Sequence, residues 1–116
     1  MPNTVITVAQ GRHFNTPYEV ASTAVAADAT AEFVMNDKDW KYTVLITTTA
    51  ATNVTFKAPT SAGPFNADDT VFALEANKTY AITIESGKFK NVDATNYNKV
   101  VLTTNKAIAV QIVKLP

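Results

Sequence analysis

The sequence contains no cysteine, one histidine and three glycines. The absence of cysteine and the single histidine exclude several classes of function. Without cysteine the chain can form no disulfide, no thiolate-ligated zinc site and no cysteine nucleophile. His13 alone cannot make a histidine metal cluster, and no Gly-x-Ser-x-Gly nucleophile elbow accompanies it as the partner of a catalytic base. We therefore predict that the protein is not an enzyme, has no catalytic residues and binds neither a cofactor nor a metal.

Charge and long apolar runs are also scarce. Charged residues make up 17% of the 116 residues, and ten basic residues balance ten acidic ones. Nucleic-acid binders usually carry a basic excess that neutralises phosphates, so we expect no nucleic-acid partner. No stretch approaches the roughly 18–20 apolar residues of a membrane span, so we expect no membrane partner. Residues 1–4 lack the basic and apolar regions of a signal peptide, which predicts synthesis in a cytoplasm.

What the sequence does contain is alternation of apolar and polar residues with a period of two. Such alternation is typical of half-buried β-strands, and threonine and valine suit their pleated surface. The predicted strands cover residues 5–8, 31–35, 40–47, 53–58, 70–75, 79–85, 99–103 and 107–114, with a weaker pattern over 20–27.

Short turn-forming connections separate several of these strands. Residues 50–52 and 104–106 are short enough to predict two β-hairpins, and residues 76–78 predict a further turn. About eight strands with frequent turn signals predict an all-β fold, a single β-sandwich of antiparallel strands. Periodicity does not separate an immunoglobulin-like from a jelly-roll-like strand order. We assign residues 1–19 to an extended N-terminal arm and residues 20–116 to the sandwich.

The predicted arm is the best candidate for a contact site. Chain ends fray unless something ties them down, so a long polar beginning favours contact with a partner, a neighbouring copy or the domain itself. A cation and aromatic rings interrupt this segment, and such side chains often anchor interfaces. Loop 59–69 and the C-terminal Leu115-Pro116 are second choices. The predicted partner-binding residues are Arg12, His13, Phe14, Pro17, Tyr18 and Leu115.

Two acidic pairs lie in predicted loops: Asp37 with Asp39, and Asp68 with Asp69. Paired carboxylates can perform acid–base chemistry on glycosides or hold calcium. Neither loop has the alternating oxygen ligands and glycine of a calcium loop. We therefore predict turn-forming, solvated aspartates.

Aromatic residues lie both in strands and in loops. Those in strands occupy the apolar phase of the alternation, which predicts core packing rather than a platform for sugar rings. These strand residues are Trp40, Tyr42, Phe56 and Tyr80. Phe65 and Tyr97 lie in predicted loops and are the better candidates for exposed aromatic rings.

Four stretches stand out beyond their alternation. They are residues 42–46 (YTVLI), 53–58 (NVTFKA), 77–91 (NKTYAITIESGKFKN) and 106–116 (KAIAVQIVKLP). A Glu-Ser-Gly-Arg/Lys-Phe-Lys-Asn segment combined with a terminal strand ending in Leu-Pro is found in small head proteins of tailed bacteriophages. The region from Asp39 to Pro116 resembles these auxiliary or decoration proteins, which lie on the outside of capsids.

The resemblance implies a structural protein of the virion, bound to the capsid exterior, where it stabilises or decorates the shell. It implies the major capsid protein as partner, with neighbouring copies of the chain as a second partner in a homo-oligomer. It supplies no catalytic residues. The alternative reading of the same β-rich sequence is a carbohydrate-binding or adhesin-type β-sandwich module.

Overall fold

The computed structural model describes residues 3–11, 13–57, 69–84 and 99–116. These parts of the chain contain ten strands and one turn of 3-10 helix. The strands are β1 (Asn3–Val5), β2 (Val8–Gln10), β3 (Thr23–Val25), β4 (Thr30–Val34), β5 (Tyr42–Thr48), β6 (Thr52–Phe56), β7 (Thr70–Leu74), β8 (Thr79–Ile82), β9 (Lys99–Thr104) and β10 (Ile108–Lys114), and the 3-10 turn is Asp39–Lys41.

The strands form two sheets that pack face to face as a sandwich. The first sheet has the order β1-β4-β9-β6-β7, and the second has the order β2-β10-β5-β8. Strand β3 also pairs with β10, antiparallel through Val25 and Ile108, while β2 pairs with β10 in parallel through Val8 and Ile112. The strands β3 and β2 therefore pair with successive halves of β10.

Alternation places one face of each central strand in a shared core. In β5, residues 42, 44, 46 and 48 are buried, and the intervening residues are partly exposed. Full burial of one such apolar side chain stabilises the fold by about 1.5–3 kcal/mol. The largest fully buried side chains are Tyr42, Phe33, Phe56, Met35, Ile46, Leu102, Ile112, Val25, Val44, Val54, Val100 and Val110.

The predicted all-β sandwich is confirmed, but its strands are not all antiparallel. Strand β1 pairs in parallel with β4, and β2 pairs in parallel with β10. Both parallel strands come from residues 3–10, the beginning of the predicted arm. Ile6, between them, is 2% exposed and belongs to the core. The domain itself therefore holds residues 3–10, and the sandwich begins well before residue 20.

The two predicted hairpins are wrong. Strand β5 lies in the second sheet and β6 in the first, and β9 and β10 are divided in the same way. Each short connection is an arch that carries the chain from one sheet to the other. A hairpin and an arch place the same alternate residues in the core, so alternation does not distinguish them. Among the described strands, β6 and β7 form the only pair of consecutive strands that are hydrogen-bonded to each other.

Side-chain hydroxyls stabilise the arches. The Thr52 hydroxyl donates to the carbonyl oxygen of Ala50 at 2.6 Å, and the Thr48 hydroxyl donates to that of Glu75 at 2.5 Å. The predicted turn at 76–78 joins β7 of the first sheet to β8 of the second. Asn77 within it has a φ of 59°, a left-handed conformation that asparagine tolerates.

Candidate docking surface

The end of β10 lies between the end of β2 and the start of β5. The backbone N–H of Gly11, just after β2, donates to the carbonyl oxygen of Lys114 at 2.8 Å. The backbone N–H of Leu115 donates to the carbonyl oxygen of Lys41 at 2.7 Å. Three distant parts of the sequence are therefore held side by side at one end of the second sheet.

Gly11 packs closely against Tyr18 of the following loop and against Pro116 after β10. A Cβ atom added to Gly11 would lie 3.0 Å from the Tyr18 ring and 3.0 Å from Cδ of Pro116. Real Cβ atoms rarely have such close neighbours, so the absence of a side chain lets the Tyr18 ring and Pro116 lie directly against the backbone. The buried Gly11 thereby joins the predicted arm to the end of the chain's last strand.

The loop after Gly11 folds back toward β2. His13, Pro17 and Tyr18 line a cavity of about 210 Å³ together with Gln10 and Thr16. Asn15 has a φ of 60°, which turns the chain.

Phe14 lies in the same loop, and its side chain is 80% exposed. No hydrophobic packing therefore explains an aromatic residue at this position.

Trp40 is not in the core, contrary to the sequence-based prediction. Its side chain is 62% exposed, and the Lys41 Nζ atom lies 5.6 Å from its ring centroid. The 3-10 turn at Asp39–Lys41 ends the alternation before β5 begins, so Trp40 does not share the inward phase of Tyr42. The turn-forming run 36–39 directly before Trp40 was the signal for this break.

The other strand aromatics behave as predicted or nearly so. Tyr42 is 1% exposed and Phe56 is fully buried, which confirms core packing for both. Tyr80 is half-buried and packs against the core. The Tyr42 hydroxyl donates to the Asn36 side-chain oxygen at 3.0 Å, so this buried ring also holds the turn that precedes Trp40.

A small charge cluster lies beside Trp40. The Asp37 carboxylate is 3.5 Å from Nζ of Lys41 and 3.3 Å from Nζ of Lys114. The pKa of Asp37 is lowered, first because the backbone N–H of Lys38 donates to its carboxylate, and then because both lysines are close. Two cations and one anion leave this cluster with a formal charge of plus one.

Three exposed apolar residues and the half-buried Pro116 lie around the end of β10, and we call them the apolar rim: Tyr18, Trp40, Leu115 and Pro116. Tyr18 is 37% exposed and Leu115 is 41% exposed. Single exposed apolar residues are ordinary on protein surfaces, whereas large contiguous apolar patches often mark interaction sites. The rim can bury apolar area against a partner, and the Asp37 cluster can contribute polar contacts beside it.

The structure brings some of the predicted partner-binding residues together. Tyr18 and Leu115 belong to the rim. His13 and Pro17 line the adjoining cavity, and Phe14 projects from the loop. Arg12 lies outside the described residues. The sequence analysis did not identify Trp40 as a member of the rim, nor the buried Gly11 that supports it.

Several other predicted features fall in different places. Asp37 belongs to the cluster just described, whereas Asp69 pairs with Lys57 at 3.0 Å, so these members of the two acidic pairs have separate partners. Asp68, Phe65 and Tyr97 lie outside the described residues, as does most of loop 59–69. Across residues 3–11, 13–57, 69–84 and 99–116, no group of three or more metal-ligating side chains could hold an ion.

We find no helix in these same ranges that is long and apolar enough to cross a membrane.

No protein-family model matches the chain, and no curated protein sequence matches it. Among solved structures, one similar chain is PliG from Aeromonas hydrophila, a periplasmic lysozyme inhibitor of g-type lysozyme. It aligns over 96% of this chain and 99% of its own, with 13% sequence identity and a TM-score of 0.26. At that TM-score the similarity carries no argument about this chain, so its function has to be inferred from its own residues.

Proposed function

We propose that this protein is an auxiliary protein of a tailed-phage capsid, which binds the outside of the shell and stabilises or decorates it. The sequence resemblance over residues 39–116 supports the proposal. The observation that carries it furthest is the apolar rim, because a decoration protein needs an exposed surface whose burial on the shell is favourable. The rim has this character, and it lies on a rigid sandwich rather than on an isolated loop.

The rim accounts for binding in physical terms. Trp40 and Leu115 each expose a large apolar area, and removing apolar area from water contributes roughly 25 cal/mol per Å². Aromatic side chains at interface centres are frequent sites of high binding energy. In this proposal Trp40 is the central anchor, with Tyr18 and Leu115 beside it.

Stabilisation of the shell follows from linkage. A protein that binds assembled shell subunits but not dispersed ones shifts the assembly equilibrium toward the shell. If neighbouring copies also contact one another, many weak sites act with high effective concentration. The sandwich supplies the rigidity that this requires, because its core fixes the three backbone segments that carry the rim.

The test is binding to capsids assembled from the major capsid protein encoded in the same genome. Wild-type protein should co-sediment with these capsids, and Trp40→Ser with Leu115→Ser should reduce bound protein at least about tenfold, as expected for loss of interface anchors. The matched control is Val71→Ser, because Val71 is 58% exposed on β7, an edge strand of the first sheet. It lies at the level of Thr103 near the end of β9, far from the end of β10. This control should bind like the wild type.

Point variants are needed because truncation is not a clean test. Deleting the arm would remove β1 and β2 and the buried Ile6, so loss of binding could reflect loss of the fold. Wild-type binding by a folded Trp40→Ser/Leu115→Ser variant would overturn the role of the rim. Absence of a capsid protein from the genome, or absence of wild-type binding to its shell, would overturn the proposed function.

A further inference from the structure

A groove of about 520 Å³ lies on the first sheet, away from the apolar rim. Its floor contains Thr55 of β6 and Thr103 of β9, which are opposite each other in the antiparallel ladder. Val71 of β7 is the cross-strand neighbour of Thr55 on the other side, and it is 58% exposed. The outward-facing side chains of the three adjacent strands β9, β6 and β7 therefore form one continuous surface.

Backbone hydrogen bonds fix the polar end of the groove. The backbone N–H of Asn53 donates to the side-chain oxygen of Asn105 at 2.9 Å, and the N–H of Asp28 donates to the Thr104 carbonyl oxygen at 2.9 Å. Asp28 has a φ of 61°, so its carboxylate is presented from a turn with a defined conformation. Rigid loops of this kind lose little conformational entropy when a ligand binds.

The described residues that line the groove combine hydrogen-bonding groups with apolar area. They supply one carboxylate, two amides, three threonines and one exposed valine, and most of the accessible area of the lining is apolar. Carboxylates accept hydrogen bonds, while amides and hydroxyls both donate and accept them. The residues concerned are Asp28, Asn53, Thr55, Thr103, Thr104, Asn105 and Val71.

This composition argues against ionic ligands. None of the described lining residues is a lysine, arginine or histidine, so a phosphate, sulfate or nucleic-acid backbone would find no cation. Among these described lining residues Asp28 supplies the one carboxylate, which gives too few charged oxygens for a calcium ion with its six to eight oxygen ligands. A neutral ligand that carries hydroxyl groups beside apolar C–H edges matches the lining, because each hydroxyl both donates and accepts hydrogen bonds and the C–H edges cover the apolar area.

We propose that this groove binds the edge of a neutral hexopyranose unit of a polysaccharide. In this proposal the Asp28 carboxylate accepts hydrogen bonds from two neighbouring sugar hydroxyls. Thr55 and Thr103 form hydrogen bonds with the hydroxyl groups on the adjacent ring carbons, and Val71 covers a C–H edge of the ring. None of the described residues that line the groove is aromatic. We therefore expect weak affinity at one site and useful binding only when many copies act together. The proposal goes beyond capsid docking and does not depend on it.

The groove and the rim are separate surfaces. Asn105 lies in the arch before β10, and Leu115 lies just after it, so the seven residues of β10 separate them. At roughly 3.3 Å per residue this is about 20 Å. A capsid bound at the rim therefore leaves the groove free to bind a sugar.

The experiment is a titration of the ¹⁵N-labelled full chain, followed by backbone amide chemical shifts. The probes are the methyl glycosides of glucose, galactose, mannose and N-acetylglucosamine, taken to tens of millimolar. At least one should produce saturable shifts confined to the groove, around Asn53, Thr55 and Thr103. The methyl glycoside of galacturonic acid is the acidic counterpart of the galactoside, and it should bind more weakly because Asp28 repels its carboxylate.

Two variants test the residues. Thr55→Val removes one hydroxyl with little change in shape, and it should weaken binding about 3- to 10-fold, as expected for one hydrogen bond. Thr43→Val is the matched control, because Thr43 lies on the outward phase of β5 in the second sheet and should leave binding unchanged. Asp28→Asn keeps a residue that tolerates positive φ and should reduce the discrimination against the acidic sugar.

Three outcomes would overturn the proposal. They are the absence of saturable shifts for every neutral glycoside, shifts confined to Trp40 and Tyr18, and equal binding of the neutral and acidic sugars by the wild type. None of these bears on co-sedimentation with capsids, so failure here and failure of the proposed function are distinguishable.

Discussion

The Tyr18 ring lies against the backbone of Gly11 so closely that a Cβ atom on Gly11 would come within 3.0 Å of its hydroxyl oxygen. Pro116 lies at the same distance from that Cβ position. Through this contact a loop near the beginning of the sequence and the residues after the last strand form one surface. The absence of a side chain at residue 11 is therefore a requirement of the apolar rim.

Replacing Gly11 with alanine should separate Tyr18 and Pro116. Overpacking of this kind destabilises proteins by about 1–3 kcal/mol, and the half-exposed Tyr18 ring can yield, so we expect a value near the lower end. Urea denaturation measures the loss. In a Tyr18→Ala background the same substitution should cost less, because the ring is no longer in the way. Equal losses in both backgrounds would contradict the contact.

The alternation in β10 predicts opposite results for two neighbouring residues. Ile112 is fully buried between the sheets, and Ile112→Ala should lower the free energy of unfolding by about 2–4 kcal/mol through lost burial and a residual cavity. Val113 is half-buried on the outward phase of the same strand, and Val113→Ala should lower it by less than about 1 kcal/mol. Equal losses would show that β10 has a different register.

The arch between β5 and β6 can be tested with engineered disulfides, since the chain has no cysteine of its own. Thr47 and Ala109 are opposite each other in the ladder between β5 and β10. Cross-strand partners of this kind have Cα atoms about 4.5–5.5 Å apart, within the range of a disulfide. Thr47→Cys with Ala109→Cys should therefore cross-link on mild oxidation, as measured by mass spectrometry without reductant.

The matched control pair is Thr47→Cys with Thr55→Cys. The predicted hairpin across residues 50–52 would place Thr47 and Thr55 opposite each other. In the structure they lie on the outward phases of different sheets, so this pair should stay reduced. Cross-linking of the control pair would restore the hairpin and contradict the arch.

The charge cluster at Asp37 predicts a dependence of stability on pH. The pKa of the Asp37 carboxyl is lower in the folded protein than in the unfolded chain, where it is about 4. The folded protein therefore binds the carboxyl proton less tightly. Ionised Asp37 therefore stabilises the fold above that value, and the contribution disappears as the pH falls through the lower folded pKa. The wild type should be more stable than Asp37→Asn at neutral pH, and this difference should vanish in acid.

The size of this difference should be small, because the group is exposed and salt screens it. In a background with Lys41→Gln and Lys114→Gln the difference should shrink but persist in part, since the Lys38 N–H still favours the carboxylate. Denaturation curves collected across acid and neutral pH measure it. A constant difference at every pH would contradict the assignment.

Much of the fold follows from local pattern. Period-two alternation located β5, β6, β9 and β10, and it placed Tyr42 and Phe56 in the core, because an alternating segment has one face that only burial can satisfy. The short polar connections between strands were also correctly located. The partners of each strand were not, because the same inward residues serve a hairpin and an arch equally well.

The docking surface was only partly predictable for a related reason. The polar, aromatic segment around Phe14 and Tyr18 attracted attention on composition alone. Trp40 was assigned to the core because it continues the phase of Tyr42, although the turn-forming run 36–39 directly before it was a signal that this phase is interrupted. Gly11 carried no signal at all, because a close approach depends on residues far away in the chain.

The sequence by itself determined that this protein is a cysteine-free, all-β domain and which residues of its central strands face inward. Those properties depend on neighbouring residues and on the partition of side chains between water and the core. Only the tertiary structure decided that the chain crosses between sheets at each short connection, and that β2, β10 and the turn before β5 meet at the apolar rim. Such arrangements depend on contacts between residues distant in sequence. Many contacts across the whole core contribute to their free energy, so no single segment of the sequence predicts them.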